Sequence, residues 1–341
     1  MTGNRTRAYG RPHPRFAPAA IGLRVGTSAP TRVRGAMIAS EDGVGRIAGP
    51  LSMRGRIALE NFDFRGMPIA YEHTGQGEPV IMLHNGGSSH AIWSGVAKRL
   101  AGRYEIFALD LLGFGDSAKP GAGYTLDNYV AMLEEFVRSR GLQRVTLVGN
   151  CMGCAISLAF AERHPDEVKA LVLCNPLTES TFLGGWLGPL LWLRERLPGI
   201  NRQVYRILGH LKLTNGIGSA ATLFQLGPRG RALKVHRSPD IYGPYAATGQ
   251  LESLLGVLDD LENYAIIDNL APQPGFPPIC TIWGLKNKIV SPKAGRRLNS
   301  TLHPARQEWL PDSGHLLMLE QPDEVAAIID GFLQGAAAPR T

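Results

Sequence analysis

Four short apolar runs constrain this chain more than any other feature: Pro79-Val80-Ile81-Met82-Leu83, Ile106-Phe107-Ala108-Leu109, Val145-Thr146-Leu147-Val148 and Ala170-Leu171-Val172-Leu173. Each is too short for a typical globular helix and lacks a solvent-facing alternation, which suits strands covered on both faces. Helix-period segments at 91–100, 126–140, 152–163, 293–302 and 322–333 intervene or follow. Residues 57–63 and 67–72 alternate apolar and polar around Arg65-Gly66 and read as an opening hairpin, while 279–283 and 306–310 supply two last strands. The expected architecture is α/β: a mostly parallel eight-stranded sheet with helices on both faces.

The strand–helix rhythm stops between residues 177 and 274. That interval is helical in pattern, with an apolar stretch over 182–193 and further segments at 204–213, 220–226 and 251–261. It reads as an inserted helical cap, and the proline-rich linker 271–278 returns the chain to the sheet. The core is expected over 51–176 and 275–335. Residues 1–50 read as a disordered tail, because Gly, Pro, Ser, Thr and Arg without apolar periodicity cannot offset the entropy of ordering. The tail also holds the charge. Of the formal +7, all comes from seven arginines in residues 1–36, and without them the 36 basic residues fall to 29, the number of acids. A near-neutral body without a basic stripe argues against a nucleic-acid partner. The simplest reading of the tail is a start of translation at Met37 or Met53, with an organelle transit peptide as the rival. No apolar run reaches bilayer-spanning length. The four cysteines, all within expected core elements, suit reduced thiols in the cytoplasm.

The strand 145–148 leads into Gly149-Asn150-Cys151-Met152-Gly153 and then a helix. A strand–sharp turn–helix context of this kind presents the central side chain at the apex, with glycines two before and two after giving the backbone room. Cys151 is therefore the candidate nucleophile, at a helix N-terminus where a thiol pKa is lowered. Cys174 and Cys280 read as ordinary core thiols. Cys151 and Cys154 could form a redox or metal CxxC pair, but no second CxxC exists for a structural zinc site.

These blocks resemble the α/β-hydrolase superfamily, in particular its capped members, over about residues 57–333. Leu83-His84-Asn85-Gly86-Gly87 is similar to the family's oxyanion loop, the segment Asp110 to Ser117 to the loop after the fourth strand, and Asp312-Ser313-Gly314-His315 to the histidine loop. The resemblance implies His315 as catalytic base and oxyanion donors at the backbone N–H groups of Met152 and Gly86. It also implies an acid after the seventh strand, yet Trp283-Gly284-Leu285-Lys286-Asn287 carries Asn287 there, and the other family location, after the sixth strand, carries Asn175. Cysteine proteases with a Cys-His-Asn set use an amide to orient the imidazole, so Cys151 and Asn287 form one consistent chemistry. Asp312, Glu179 and Asn175 are the alternative orienting residues. His84 reads as a loop organiser, and Asp110 and Asp116 either organise a turn or lie near the pocket.

The resemblance implies a hydrolase of an ester or thioester with a hydrophobic acyl group, working through a Cys151 acyl-enzyme. An acyltransferase similar to polyhydroxyalkanoate synthases, which share a Gly-x-Cys-x-Gly elbow, and a non-catalytic pocket protein that lost the acid are the alternatives. Dienelactone hydrolases share the cysteine elbow but are shorter and essentially uncapped. Haloalkane dehalogenases and epoxide hydrolases of this shape need an aspartate at the elbow, which Cys151 excludes. The expected partner is a small lipophilic acyl compound, and nothing in the sequence calls for a cofactor or a metal; oligomeric state is open.

Overall fold

The computed structural model describes residues 59–189, 191–192 and 214–337. The expected tail over 1–50 and the cap segment 204–213 lie outside the described residues. The strands are β1 (Glu60–Phe64), β2 (Met67–Gly75), β3 (Glu78–Leu83), β4 (Tyr104–Leu109), β5 (Val145–Asn150), β6 (Val168–Cys174), β7 (Ile279–Gly284) and β8 (Arg306–Leu310). The core helices are α1 (Ser94–Leu100), α2 (Leu126–Ser139) and α3 (Met152–Arg163). Those of the inserted region are α4 (Glu179–Leu183), α5 (Asn215–Gln225), α6 (Pro228–Ala232), α7 (Pro239–Tyr242), α8 (Gln250–Asp259) and α9 (Ala265–Asp268). After β7 come α10 (Pro292–Leu302), α11 (Leu317–Glu320) and α12 (Pro322–Ala337). No helix among the described residues is long and apolar enough to cross a membrane.

The eight strands form one sheet in the order β1-β2-β4-β3-β5-β6-β7-β8. β1 and β2 are antiparallel to their neighbours, and every later pairing is parallel. The opening hairpin turns at Arg65 and Gly66, with φ of 55° and 81°, the left-handed pair that matches strand twist. Alternation along β3 explains the continuous apolar run: Ile81 and Leu83 join one core, with α2, α3 and α10, while Val80 and Met82 join the other, under α1 and α12. Both faces are covered, so the strand has no polar side.

The strand order fixes where a site belongs. From β3 the chain steps one way to β4, and from β5 onward it steps the other way, so the loops leaving β3 and β5 diverge at the reversal. A crevice opens beyond the carboxyl ends of such strands. Leu83 is in register with Gly149, which sets the two loops side by side.

Two elements differ from the sequence reading. The helix expected from residue 91 opens as a 3₁₀ turn, His90–Trp93, capped by Ser89, and becomes α-helical only at Ser94. Among the described residues the apolar stretch 182–193 is not one helix: α4 ends at Leu183, residues 184–187 form turns, and helix resumes at Gly188. A Cβ at Gly185 would sit 2.1 Å from Ile289 O. Trp186 is 69% exposed.

Candidate active site

β5 ends at Asn150 and α3 begins at Met152, leaving Cys151 alone in the turn at φ 54° and ψ −110°. A non-glycine residue there costs on the order of 1–3 kcal/mol and persists only where its surroundings over-determine it. They do. Cys151 N donates to Cys174 O at 3.0 Å, and the Cys151 carbonyl accepts from Cys154 N at 3.0 Å and Leu177 N at 3.2 Å. Both flanking glycines are demanded by close approach. A Cβ at Gly149 would lie 2.5 Å from Cys154 N, and one at Gly153 would lie 2.3 Å from Leu83 O.

The thiol does not have the lowered pKa expected from its helix N-terminus. Burial pushes it up to about 12, and only the Met152 backbone N–H pulls the other way. The helix end acts over one turn, whereas desolvation acts on the whole charge. All four cysteines are free and buried. Cys154 Sγ is engaged with Gly149 O at 3.1 Å and Cys174 O at 3.2 Å, a place in the packing beneath the turn.

His315 is 1% exposed, and burial drives its pKa down to about 3. Burial thus favours the neutral thiol and the neutral imidazole at rest. The histidine loop is held on several sides. His315 N donates to Gln225 O at 2.8 Å, Gly314 N donates to Glu320 Oε1 at 2.8 Å, and Asn175 Nδ2 donates to the carbonyls of Gly314 and His315, each at 3.2 Å. Glu320 also accepts from Gly227 N and Gly230 N, tying the loop to α6. Despite this, the buried His315 Nδ1 makes no hydrogen bond.

None of the proposed orienting residues reaches that nitrogen. Asn175, at φ 50°, is a backbone knot: its Oδ1 accepts from Gly284 N at 2.9 Å, and its own N–H donates to Ile282 O at 2.9 Å. Asp312 is exposed, and Glu179 is half-buried in the first turn of α4. Asn287 is buried with Oδ1 accepting from Ile289 N at 2.9 Å and Val290 N at 3.2 Å, while its Nδ2 has no partner. An amide oxygen that accepts the imidazole N–H, as in the Cys-His-Asn proteases, is thus not what Asn287 offers. Its free group is a donor. The Asn287 turn and the histidine loop are joined by Lys286 N to Ser313 O at 2.9 Å.

On the oxyanion side, Gly86 is half-buried, with Leu254 Cδ1 of α8 3.1 Å from where its Cβ would be. His84 holds this loop: its Nδ1 pairs with Asn85 O at 2.7 Å, its Nε2 accepts from Leu111 N at 3.0 Å, and burial keeps it neutral with a pKa near 4. Asp110 organises a turn, accepting from His90 N at 2.6 Å and Asp116 N at 2.8 Å. His90, Asp110 and Asp116 bring possible ligand atoms within 4.8 Å of one another, and His90 Nδ1 lies 2.9 Å from Asp110 Oδ1. Two open surface clefts, one beside Glu134 and His164 and one beside Pro272 and Phe332, are lined by no cysteine.

Sequence reasoning missed the residues that close the site from above. Asn150 Nδ2 donates to Asn85 Oδ1 at 3.3 Å, Asn85 Nδ2 to Gln225 Oε1 at 3.4 Å, and Gln225 Nε2 to the Tyr245 hydroxyl at 2.6 Å. Gln225 and Tyr245 come from the region between β6 and β7 and carry no motif; Asn85 and Asn150 sat within recognised blocks.

An eight-stranded sheet with this reversal, a strained turn between close-packed glycines and a buried histidine after the last strand define an α/β-hydrolase. The chain matches the family described as alpha/beta hydrolase fold over residues 78–322, and it belongs to that family as an enzyme with a general hydrolase role. It is 39% identical over 112 residues to a 2-hydroxy-6-oxo-6-(2'-aminophenyl)hexa-2,4-dienoic acid hydrolase of Metapseudomonas resinovorans, a match spanning 32% of this chain and 39% of that enzyme. It is 27% identical over 262 residues to Lipase 3 of Moraxella sp., spanning 76% of this chain and 78% of the lipase. Among solved structures, a thermophilic esterase from Thermogutta terrifontis superposes with a TM-score of 0.65 at 20% identity, covering 82% of this chain and 100% of that one.

Proposed function

We propose that this chain hydrolyses an ester or thioester of a hydrophobic acyl group through a Cys151 acyl-enzyme. The observation that carries the reading is Cys151 alone on the strained turn, with the Met152 N–H at its sulfur. Leu177, Phe182, Val257 and Leu261 share the apolar cluster of Cys151, which suits a lipophilic acyl chain.

The neutral resting pair sets the order of events. As Sγ bonds to the carbonyl carbon, the thiol proton moves to His315 Nε2 and the carbonyl π electrons move to oxygen, where the backbone N–H groups of Met152 and Gly86 receive the charge. Collapse expels the alcohol or thiol, which takes the proton from Nε2. Water, deprotonated by the same nitrogen, then attacks the thioester, and the acid leaves as Sγ recovers its proton.

Asn287 is assigned the orienting position, and it makes the chemistry slow. Through Nδ2 it can orient a neutral ring only by donating to Nδ1, which leaves the ring proton on Nε2. Taking the thiol proton needs the other tautomer. The same feature favours a second reading, a non-catalytic small-molecule-binding homologue. Incubation with p-nitrophenyl esters and acyl-coenzyme A thioesters, followed by intact mass, separates the two: the acyl-enzyme reading expects one acyl increment on Cys151 and its absence in Cys151→Ala. No increment and no turnover from any substrate would leave the binding protein. Turnover only when an alcohol or amine acceptor is added would assign acyl transfer.

A further inference from the structure

We infer that Tyr245, carried by the cap, is a catalytic residue: a third hydrogen-bond donor to the oxyanion formed at Cys151. The inference rests on the acyl-enzyme reading and adds to it a group from outside the core.

Three observations support it. First, position: the Tyr245 ring lies on the oxyanion loop, so closely that a Cβ at Gly87 would be 2.7 Å from its Cε1. Gly87 follows Gly86, whose N–H is assigned to the same oxygen. Second, hydrogen-bond direction: the hydroxyl oxygen accepts from Gln225 Nε2 at 2.6 Å and lies within hydrogen-bond reach of the Asn85 amide. The Gln225 N–H can only donate, so that bond leaves the phenol its proton, and no side-chain or backbone oxygen among the described residues is found accepting it. A phenol in this arrangement can do one thing more, which is to donate. Third, state and rigidity: burial holds the phenol neutral, with its pKa near 12, and the chain Asn150–Asn85–Gln225–Tyr245 fixes the oxygen to the nucleophile turn. Accepting from amide N–H groups also polarises the O–H and strengthens it as a donor.

An oxygen that is neutral in the substrate and charged in the tetrahedral intermediate gains most from a fixed donor when the charge appears. The Tyr245 donor should therefore act on the acylation rate with little effect on substrate binding. It should also discriminate oxygen from sulfur, since a thiono group accepts hydrogen bonds poorly.

Tyr245→Phe removes the oxygen and keeps the ring on Gly87. Acyl-adduct formation on Cys151 is measured for a p-nitrophenyl ester and its thionoester, in the native and Tyr245→Phe proteins. Expected is a fall of about 10²-fold in the ester rate constant, KM changed by less than about threefold, and a much smaller fall for the thionoester. Gln225→Leu, which removes the amide that holds both the phenol and the Asn85 side chain, should give a partial version of the same pattern. Equal losses on ester and thionoester, or a Tyr245→Phe rate within twofold of native, would overturn the inference while leaving the acyl-enzyme intact. No adduct in the native protein would overturn both.

Discussion

The two halves of the site are built to different standards. Around Cys151, the backbone N–H and carbonyl of the nucleophile are hydrogen-bonded, and two glycines fill spaces where a single carbon would collide with main chain. Around His315, the loop is equally well fixed, yet the ring nitrogen that an acid would hold has no partner, and neither does Asn287 Nδ2 beyond it. The proposed nucleophile is positioned by packing, which does not depend on the identity of the side chain at the apex. The proposed base would depend on one side chain for its orientation, and with none bonded to Nδ1 a buried polar atom is left unpaired, at a cost of about 1–3 kcal/mol.

The nucleophile half is broken most directly at its glycines. Gly153→Ala should destabilise the protein by about 3 kcal/mol in urea melts, because the Leu83 carbonyl cannot withdraw from the β3 ladder. Gly141→Ala is the control: with nothing within 4 Å of its Cβ, it should cost only the roughly 1–2 kcal/mol of a left-handed backbone at φ 63°. Equal losses would mean that strain, not close packing, makes the turn.

The histidine half is tested by supplying the missing acceptor. Asn287→Asp retains one oxygen for the amides of Ile289 and Val290 and presents a second where Nδ2 now stands. The acylation rate constant should rise by on the order of 10²-fold, less than the roughly 10⁴ at stake in a serine triad, since a thiol gives up its proton more readily than an alcohol. An unchanged rate would mean that the amide already serves the ring, and the contrast between the halves would fail.

Proton linkage gives the most separable effects, on opposite flanks of the pH range. His315 ionises near 3 in the fold and near 6.5 unfolded. Across that window the unfolded chain binds the extra proton, so stability falls as pH drops from about 6.5 towards 3, by up to about 1.4 kcal/mol per unit. Cys151 ionises near 12 in the fold against about 9 unfolded, so the unfolded chain loses its proton first and stability falls as pH rises above about 9. Urea melts should show a shallower acid flank in His315→Gln and a shallower alkaline flank in Cys151→Ser. A native acid slope reproduced in His315→Gln would contradict a neutral buried ring.

Which parts were legible in sequence follows from the same contrast. Strands, the nucleophile turn and the histidine loop are encoded by neighbours in the chain: apolar runs, glycines two either side of Cys151, and Asp312-Ser313-Gly314-His315. The sign of the Cys151 shift was not legible, because a helix N-terminus is local and burial is not. Nor was the role of Asn287, whose oxygen is captured by a turn two and three residues on. Asn175 looked like a displaced acid and is a three-way tie between β6, β7 and the histidine loop. Gln225 and Tyr245 meet Asn85 from 140 and 160 positions away in sequence, with no spacing to announce them.

The most direct test of the central claim is intact mass during reaction with a p-nitrophenyl ester, with peptide mapping of any adduct. A single acyl increment on Cys151 that decays as product accumulates, and that is absent in Cys151→Ala, is the expected result. Turnover that persists in Cys151→Ala, or an acyl group mapped to another residue, would contradict Cys151 as the nucleophile.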